Sequence, residues 1–413
     1  MAGPVTYASL KRSLGIAKEI TPGTPVAPVA FIPITKFDWN DKPTWLKDMG
    51  LRQSMGNDAF GIQQGVQIGE LDIEGPVFAD TLGYLLGNLF GDVTATGTAT
   101  TPTGTLSSGV SAGATSVPSS VSIPSGTLIQ IDVGNLAEIV TTSGPPTGAG
   151  PYTIPVPALA KAHLSGVQIT AIQTAGPFLH AFSLLNSGQG QPTTHTLTQY
   201  YGPAAGGGTR QYTSVCFSEV GLKWNAETEF LTYTAKATAW VSGTASTPTA
   251  TFTAATPLAS WRGLLGLAGP ASGGTQVLTA ETGEYTFKRQ LKPYFTAQNS
   301  QNPYIIQRGG LSADWKNAFV AADETPLTYM RSNTQPQHQF VISNGLTGAS
   351  ALGLQVDMQN AAFTEAKPNF GKEAVGFDCA GSGVFNTTNA GYSGGLSPAK
   401  VTLTNAIAAG SYV

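Results

Sequence analysis

Along residues 66–78, VQIGELDIEGPVF, apolar and polar side chains alternate, with Leu71, Ile73 and Val77 on one face and Glu70, Asp72 and Glu74 on the other. That is the period of a half-buried strand. LSADWKNAFV at 311–320 behaves alike, setting Leu311, Trp315 and Phe319 against Asp314 and Lys316. Further alternating runs predict strands at 219–226, 230–240, 352–363 and 374–385. ADTLGYLLGNLF at 79–90 changes period: Leu82, Leu85, Leu86 and Leu89 recur at helical spacing, with Asp80 placed as N-cap. A short helix packed on a sheet is predicted there.

Several patterns occur twice, in the same order. KFDWNDKPTW at 36–45 resembles TFKRQLKPYF at 286–295, which sets Phe37 against Phe287 and Lys42 against Lys292 at a separation of 250. IQQG at 62–65 resembles IQRG at 306–309 at a separation of 244, and the stretch at 79–88 resembles ADETPLTYMRSN at 322–333. HAFSLLNSG at 180–188 resembles HQFVISNG at 338–345, with His180 and Asn186 meeting His338 and Asn344 at 158. Ordered matches of this kind indicate internal duplication. The fall from 245 to 158 places an insert of 87 residues between Asn88 and His180. Residues 94–126 are almost wholly Thr, Ser, Gly, Ala, Val and Pro, and the stretch after them alternates like short strands between turns. The expected organisation is a first β domain over 1–93 and 176–250, a small all-β domain over 94–175 inserted in one of its loops, and a second β domain over 251–413. Each copy is expected to be mainly β with one short flanking helix.

Composition adds a surface property. Charged residues are 11% of the 413, against about a quarter in ordinary soluble domains. So little charge suits a subunit whose faces are covered by copies of itself. The net charge of −3 and the lack of any basic run argue against a protein that grips nucleic acid. No apolar run approaches the ~20 residues of a membrane span, and the start lacks the basic-then-apolar order of a signal peptide. The expectation is assembly in the cytoplasm without membrane insertion. Cys216 and Cys379 have no framework of partners and read as buried free thiols.

Candidate chemistry is thin. The four histidines are His163, His180, His195 and His338. His180 and His338 fall at matching places of the two copies, which points to a structural role such as a hydrogen bond at a strand start. No HExxH, CxxC or DxDxDG spacing occurs, and neither cysteine has a nearby His. GPAAGGGTR at 202–210 lacks a phosphate-loop lysine and reads as a hairpin tip. No catalytic residue, metal or cofactor is expected. Glu70, Asp72 and Glu74 are either a solvated face or a surface that repels phosphate, and Asp314 belongs with them. The irregular segment Asn40 to Phe60, with Trp45, Leu46, Met49, Leu51 and Met55, is too apolar for a free loop. Gln290 to Tyr304, with Tyr294, Phe295 and Tyr304, matches it. Both are expected to contact a neighbouring ring of an assembly, with packing inside the same subunit as the alternative.

LGIAKEITPGTPVAPVAFIPIT near the start, HAFSLLNSGQGQP with TLTQYYG, SEVGLKWNAETEFLTYTAKATAW, WRG at 261–263, EAKPNFGKE and GYSGGLSPAKVTLTNA together resemble the tail tube (major tail) proteins of long-tailed bacteriophages, of the siphophage type that infects actinobacteria. The resemblance implies duplicated β-sandwich or barrel-like domains, each with a flanking helix, whose sheets join between subunits around an acidic channel that conducts viral DNA into the host. It also implies a virion location, tape measure and tail terminator or tip proteins as partners, and DNA that passes without specific binding. With two copies per chain the expected ring is a trimer of pseudo-sixfold symmetry, a hexamer being the alternative. The insert is expected outside the tube. A competing expectation is a virion or cell-surface adhesin whose insert binds glycan, although the insert offers only Tyr152 as an aromatic.

Overall fold

The computed structural model describes residues 9–50, 52–53, 59–202, 208–246, 249–371, 373–386 and 396–412. Eight of the twelve strands of its main sheet form one continuous path: β1 (Lys36–Asp48), β2 (Gly61–Pro76), β3 (Thr209–Asn225), β4 (Thr232–Ala239), β5 (Ala280–Tyr294), β6 (Ile305–Val320), β7 (Asn360–Asn369) and β8 (Gly376–Val384). All neighbours are antiparallel, in the order β1-β2-β4-β3-β5-β6-β8-β7. The last four strands follow the same order as the first four, and β3 against β5 joins the two sets.

Alternation explains why this sheet has one dry face. Leu71 and Ile73 of β2, Val220 and Leu222 of β3, Tyr285 and Phe287 of β5, and Trp315 and Phe319 of β6 are all buried in one cluster. That cluster is completed by a second layer of six strands, Leu264–Leu267, His338–Ser343, Gly353–Met358, Lys400–Asn405, Phe178–Leu184 and Gly91–Thr96 in that order, which supplies Phe340, Ile342, Val356, Leu403 and Phe182. Each fully buried Leu or Phe contributes about 2 kcal/mol by leaving water. Besides β5, β3 changes partner along its length. Up to Val215 it pairs with His195–Tyr200, which pairs in turn with Ser13–Lys18, and from Cys216 onward it pairs with β4.

Helix α1 (Leu82–Phe90) is buried along its whole length. Its expected cap is corrected. Thr81 is the N-cap residue and makes no side-chain cap bond, while the Asp80 carboxylate, one position further out, accepts the Thr253 hydroxyl. Gly91 ends the helix at φ +92, and a Cβ there would lie 2.4 Å from Pro192. Helix α2 (Thr325–Ser332) begins with Pro326 and ends on Asn333 at φ +51. Two further expectations change. The strand expected at 352–363 is two strands, because after Met358 the chain leaves the six-stranded sheet and enters the main sheet as β7. The run at 219–226 is only the second half of β3. In GPAAGGGTR, residues 203–207 lie outside the described residues, and Tyr201 N–H donates to the Gly208 carbonyl at 2.9 Å beside them.

Between Gly91–Thr96 and Phe178–Leu184 the chain forms a separate all-β unit. Ala99–Thr105, Gln168–Ile172, Leu128–Ile131 and Glu138–Thr141 make a four-stranded sheet, and Tyr152–Pro155 pairs with Ser116–Ser119. Leu106, Val117, Ile129, Ile131, Ile154 and Ile169 form a core of their own there. Entry and exit are adjacent, since Gln173 N–H donates to the Thr98 carbonyl at 3.0 Å.

Candidate assembly surfaces

Glu70, Asp72 and Glu74 project from the polar side of β2, opposite the buried Leu71 and Ile73. They do not form a bare acidic wall. Lys42 of β1 contacts Glu70, and Lys36 lies 3.1 Å from Glu74 and 3.4 Å from Asp38. Lys236 stands opposite Asp72 in the β2–β4 ladder and 3.5 Å from Glu219. Asp314 sits on the same face of β6 and accepts the Ser382 hydroxyl at 2.7 Å. Pairs as exposed as these contribute at most about 1 kcal/mol each, so their importance is to the potential of the face. A depression of ≈ 320 Å³ between β3 and β8 is rimmed by Lys223, Glu284, Lys316, Glu365 and Asp378. It has charge of both signs, and Cys379, whose thiol burial pushes up, also lines it.

Two arms extend beyond this sheet at one end. β4 pairs with β2 only as far as Gly69, so Gly61–Ile68 has β1 as its sole ladder partner among the described residues. Likewise β3 pairs with β5 only as far as Lys288, and the β5–β6 ladder runs on to Tyr294 with Ile305. The apolar residues named from sequence sit on these arms. Trp45, Leu46 and Met49 are 57%, 57% and 55% exposed, and Tyr294, Phe295 and Tyr304 are exposed on the other arm. Leu51 and Met55 lie outside the described residues. The irregular segment is corrected: Asn40 to Asp48 and Gln290 to Tyr294 are strand. A bulge between Pro43 and Trp45 throws the alternation out of phase, which is what made β1 look irregular. Phe60, Ile62 and Ile305 belong to the same exposed apolar set and were missed. The second arm already leans on the first. Gln67 N–H donates to the Gln301 carbonyl at 3.0 Å, and the Gln301 amide donates to Gly65 O at 2.9 Å.

The titratable groups inside serve packing. His180 bonds the Ile407 carbonyl at 2.9 Å and His338 the Tyr285 hydroxyl at 3.0 Å. Burial lowers the pKa of His180 to about 4 and of His195 and His338 to about 3. Burial also raises both thiols, Cys379 to about 12. In the small unit, His163 lies 3.4 Å from Asp132 and 3.2 Å from Glu138, and Glu138 also accepts Ala160 N–H at 2.7 Å, which ties a loop down. Among the described residues no three His, Cys, Asp or Glu side chains are grouped to hold a metal ion. No described helix is long and apolar enough to cross a membrane.

Arginine anchors were not anticipated. Arg289 donates to Leu89 O at the end of α1, and Arg308 donates to Asn88 Oδ1 and Pro192 O. They tie β5 and β6 to α1 and the loop after Phe178–Leu184.

Exposed aromatic arms, a half-polar sheet and two strand edges without a partner among the described residues describe a molecule built to contact other molecules. Curated proteins gave no match to the chain. The family described as phage tail tube protein matches residues 9–376. The chain belongs to the phage tail tube protein family, structural components of the virion tail that assemble with copies of themselves into a tube.

Proposed function

We propose that three copies of this chain close into a ring of pseudo-sixfold symmetry, and that stacked rings enclose a channel through which phage DNA leaves the capsid. In this reading the chain carries two versions of one module, residues 1–93 with 176–250 and residues 251–413, while 94–175 is a decoration on the first. The observation that carries it is the repetition inside the main sheet. Strand order repeats, and so do two of the bulges. The β1–β2 bulge between Pro43 and Trp45 has its counterpart in the β5–β6 bulge between Arg289 and Leu291. The β3–β4 bulge between Phe217 and Glu219 has its counterpart in the β7–β8 bulge between Phe363 and Glu365. Aligning bulges pairs Gln67 with Leu311 at a separation of 244, the same as IQQG with IQRG, but pairs Pro43 with Arg289 at 246, four short of the 250 read from sequence. Two modules in each chain favour three chains over six.

The polar side of the main sheet suits the channel wall, with Glu70, Asp72, Glu74 and Asp314 on it. Lys36, Lys42 and Lys236 are each held by a carboxylate, which reduces their attraction for phosphate. The two arms suit contacts with the adjacent ring, where Trp45, Leu46, Met49, Tyr294, Phe295 and Tyr304 would be covered. The separate core of residues 99–172 suits a position outside the wall. Negative-stain microscopy of the purified protein over a range of concentrations tests the reading. Rings and short tubes are expected, and monomers at every concentration would contradict it.

A further inference from the structure

We propose that neighbouring chains join through a backbone ladder between β7 of one and β1 of the next, in a register already present inside each chain, with Glu365 opposite the partner's Lys42. This rests on the ring reading and adds to it the edges, the partner and the alignment.

The internal seam is the template. There β3 meets β5 with Glu219 opposite Lys288, Leu222 opposite Tyr285 and Asn225 opposite Thr282. β3 is the outer strand of the first set of four, as β7 is of the second, and β5 opens the second set as β1 opens the first. The bulges fix which residues correspond: Glu219 with Glu365, Trp224 with Phe370, Tyr285 with Trp39 and Lys288 with Lys42. Carried to the open edges, the register puts Glu365 opposite the partner's Lys42 and Lys367 opposite the partner's Asn40. The Glu–Lys pair of the internal seam recurs. Lys42 would then lie between its own Glu70 and the partner subunit's Glu365.

Burial gives independent support. At the internal seam Trp224 is 2% exposed and Tyr285 0%. At the open edges their counterparts Phe370 and Trp39 are 75% and 37% exposed. The edges thus present aromatic rings at the positions where the seam covers its own. Because the two edges differ, the contact is head to tail, and repeating it does not end in a dimer but gives a ring where the rotation closes. Pro368 stands where Leu222 does. Ala226 N–H donates to the Glu281 carbonyl at 3.0 Å, so alternate residues counting back from it, Leu222 among them, face β5. Pro368 therefore removes one donor from the proposed ladder while Ala366 keeps its own, and a proline on a free edge also discourages unspecific strand addition.

Cysteine pairs read the register. Glu365 and the partner's Lys42 fall at a non-hydrogen-bonded position, where Cα atoms lie about 4.5 Å apart, within reach of a disulfide. The same holds for Lys367 and the partner's Asn40. The chain carrying Lys42→Cys with Glu365→Cys, and separately the chain carrying Asn40→Cys with Lys367→Cys, is assembled, oxidised and run under denaturing conditions. Native Cys216 and Cys379 are buried and remain reduced. Covalent oligomers up to a closed ring are expected from both. Lys42→Cys with Lys367→Cys, a slip of two residues, is expected to stay monomeric. Rings in the micrographs with no linkage from either in-register pair, or linkage from the slipped pair alone, would overturn the seam and leave the ring reading standing. No rings from the unmodified protein would overturn both.

Discussion

Asn88 shows how much one buried polar side chain holds together. In the last turn of an otherwise apolar helix and fully buried, its amide donates to Val215 O and faces His195 Nδ1 at 2.8 Å, and its oxygen accepts Phe217 N–H at 2.9 Å and Arg308 at 3.1 Å. Asn88→Ala orphans several of these groups at once. A loss of about 3 kcal/mol or more is expected, read by denaturant unfolding of the monomer, and a change under about 1 kcal/mol would contradict the network. The buried histidines set a pH dependence. His180, His195 and His338 bind protons less readily folded than unfolded, so their effect is absent above the unfolded pKa of about 6.5 and stability falls as pH drops toward 4. At pH 5 each costs about 2 kcal/mol. Asp92 and Asp357, raised by burial, offset part of this. The melting temperature should therefore fall clearly between pH 7.5 and pH 5, and a flat profile would count against the neutral buried rings. Sequence pattern singled out the two matched histidines, but the partners of Asn88 and His180 lie more than a hundred residues away and that of His338 lies 53 away, and no local signal encodes those.

At the level of elements, what could be read from sequence was what has an inside and an outside. β2 and β6 alternate cleanly because one face meets the core and the other water. β1 does not: Trp39, Trp45 and Leu46 are all exposed on a strand with only one neighbour, so hydrophobicity carries no phase there. The sequence match between β1 and β5 differs by four residues from the proposed alignment of bulges, for a related reason. An even slip keeps every side chain on its own face, so the pattern cannot detect it, whereas a bulge can. The switch between layers at Gln359 coincides with a change of phase, from buried Leu354, Val356 and Met358 to buried Ala361 and Phe363. The arms yield the prediction proper to this scale. Trp45→Ser with Leu46→Ser and Ile62→Ser should leave the melting temperature of the subunit within a few degrees and abolish stacking, so that single rings replace tubes in micrographs. Tubes of normal length would show that these side chains do not join rings.

The whole molecule combines one continuous sheet, a second layer that shares its core and a separately cored unit attached where the chain enters and leaves side by side. The family could be recognised from the order of many weak motifs, while the assembly depends on the sheet as a unit. If its polar side lines the channel, Glu70→Lys, Asp72→Lys and Glu74→Lys together leave tubes intact and slow DNA release from virions at low salt, an effect that added salt relieves. Release at the normal rate would place that face elsewhere. The most direct measurement is a cross-section reconstruction, by electron cryo-microscopy, of tubes assembled from the purified protein. The account predicts three chains per ring, their eight-stranded sheets running without a break around the channel, and the 99–172 unit as separate density outside. Six chains per ring, or main sheets that do not meet edge to edge, would contradict it.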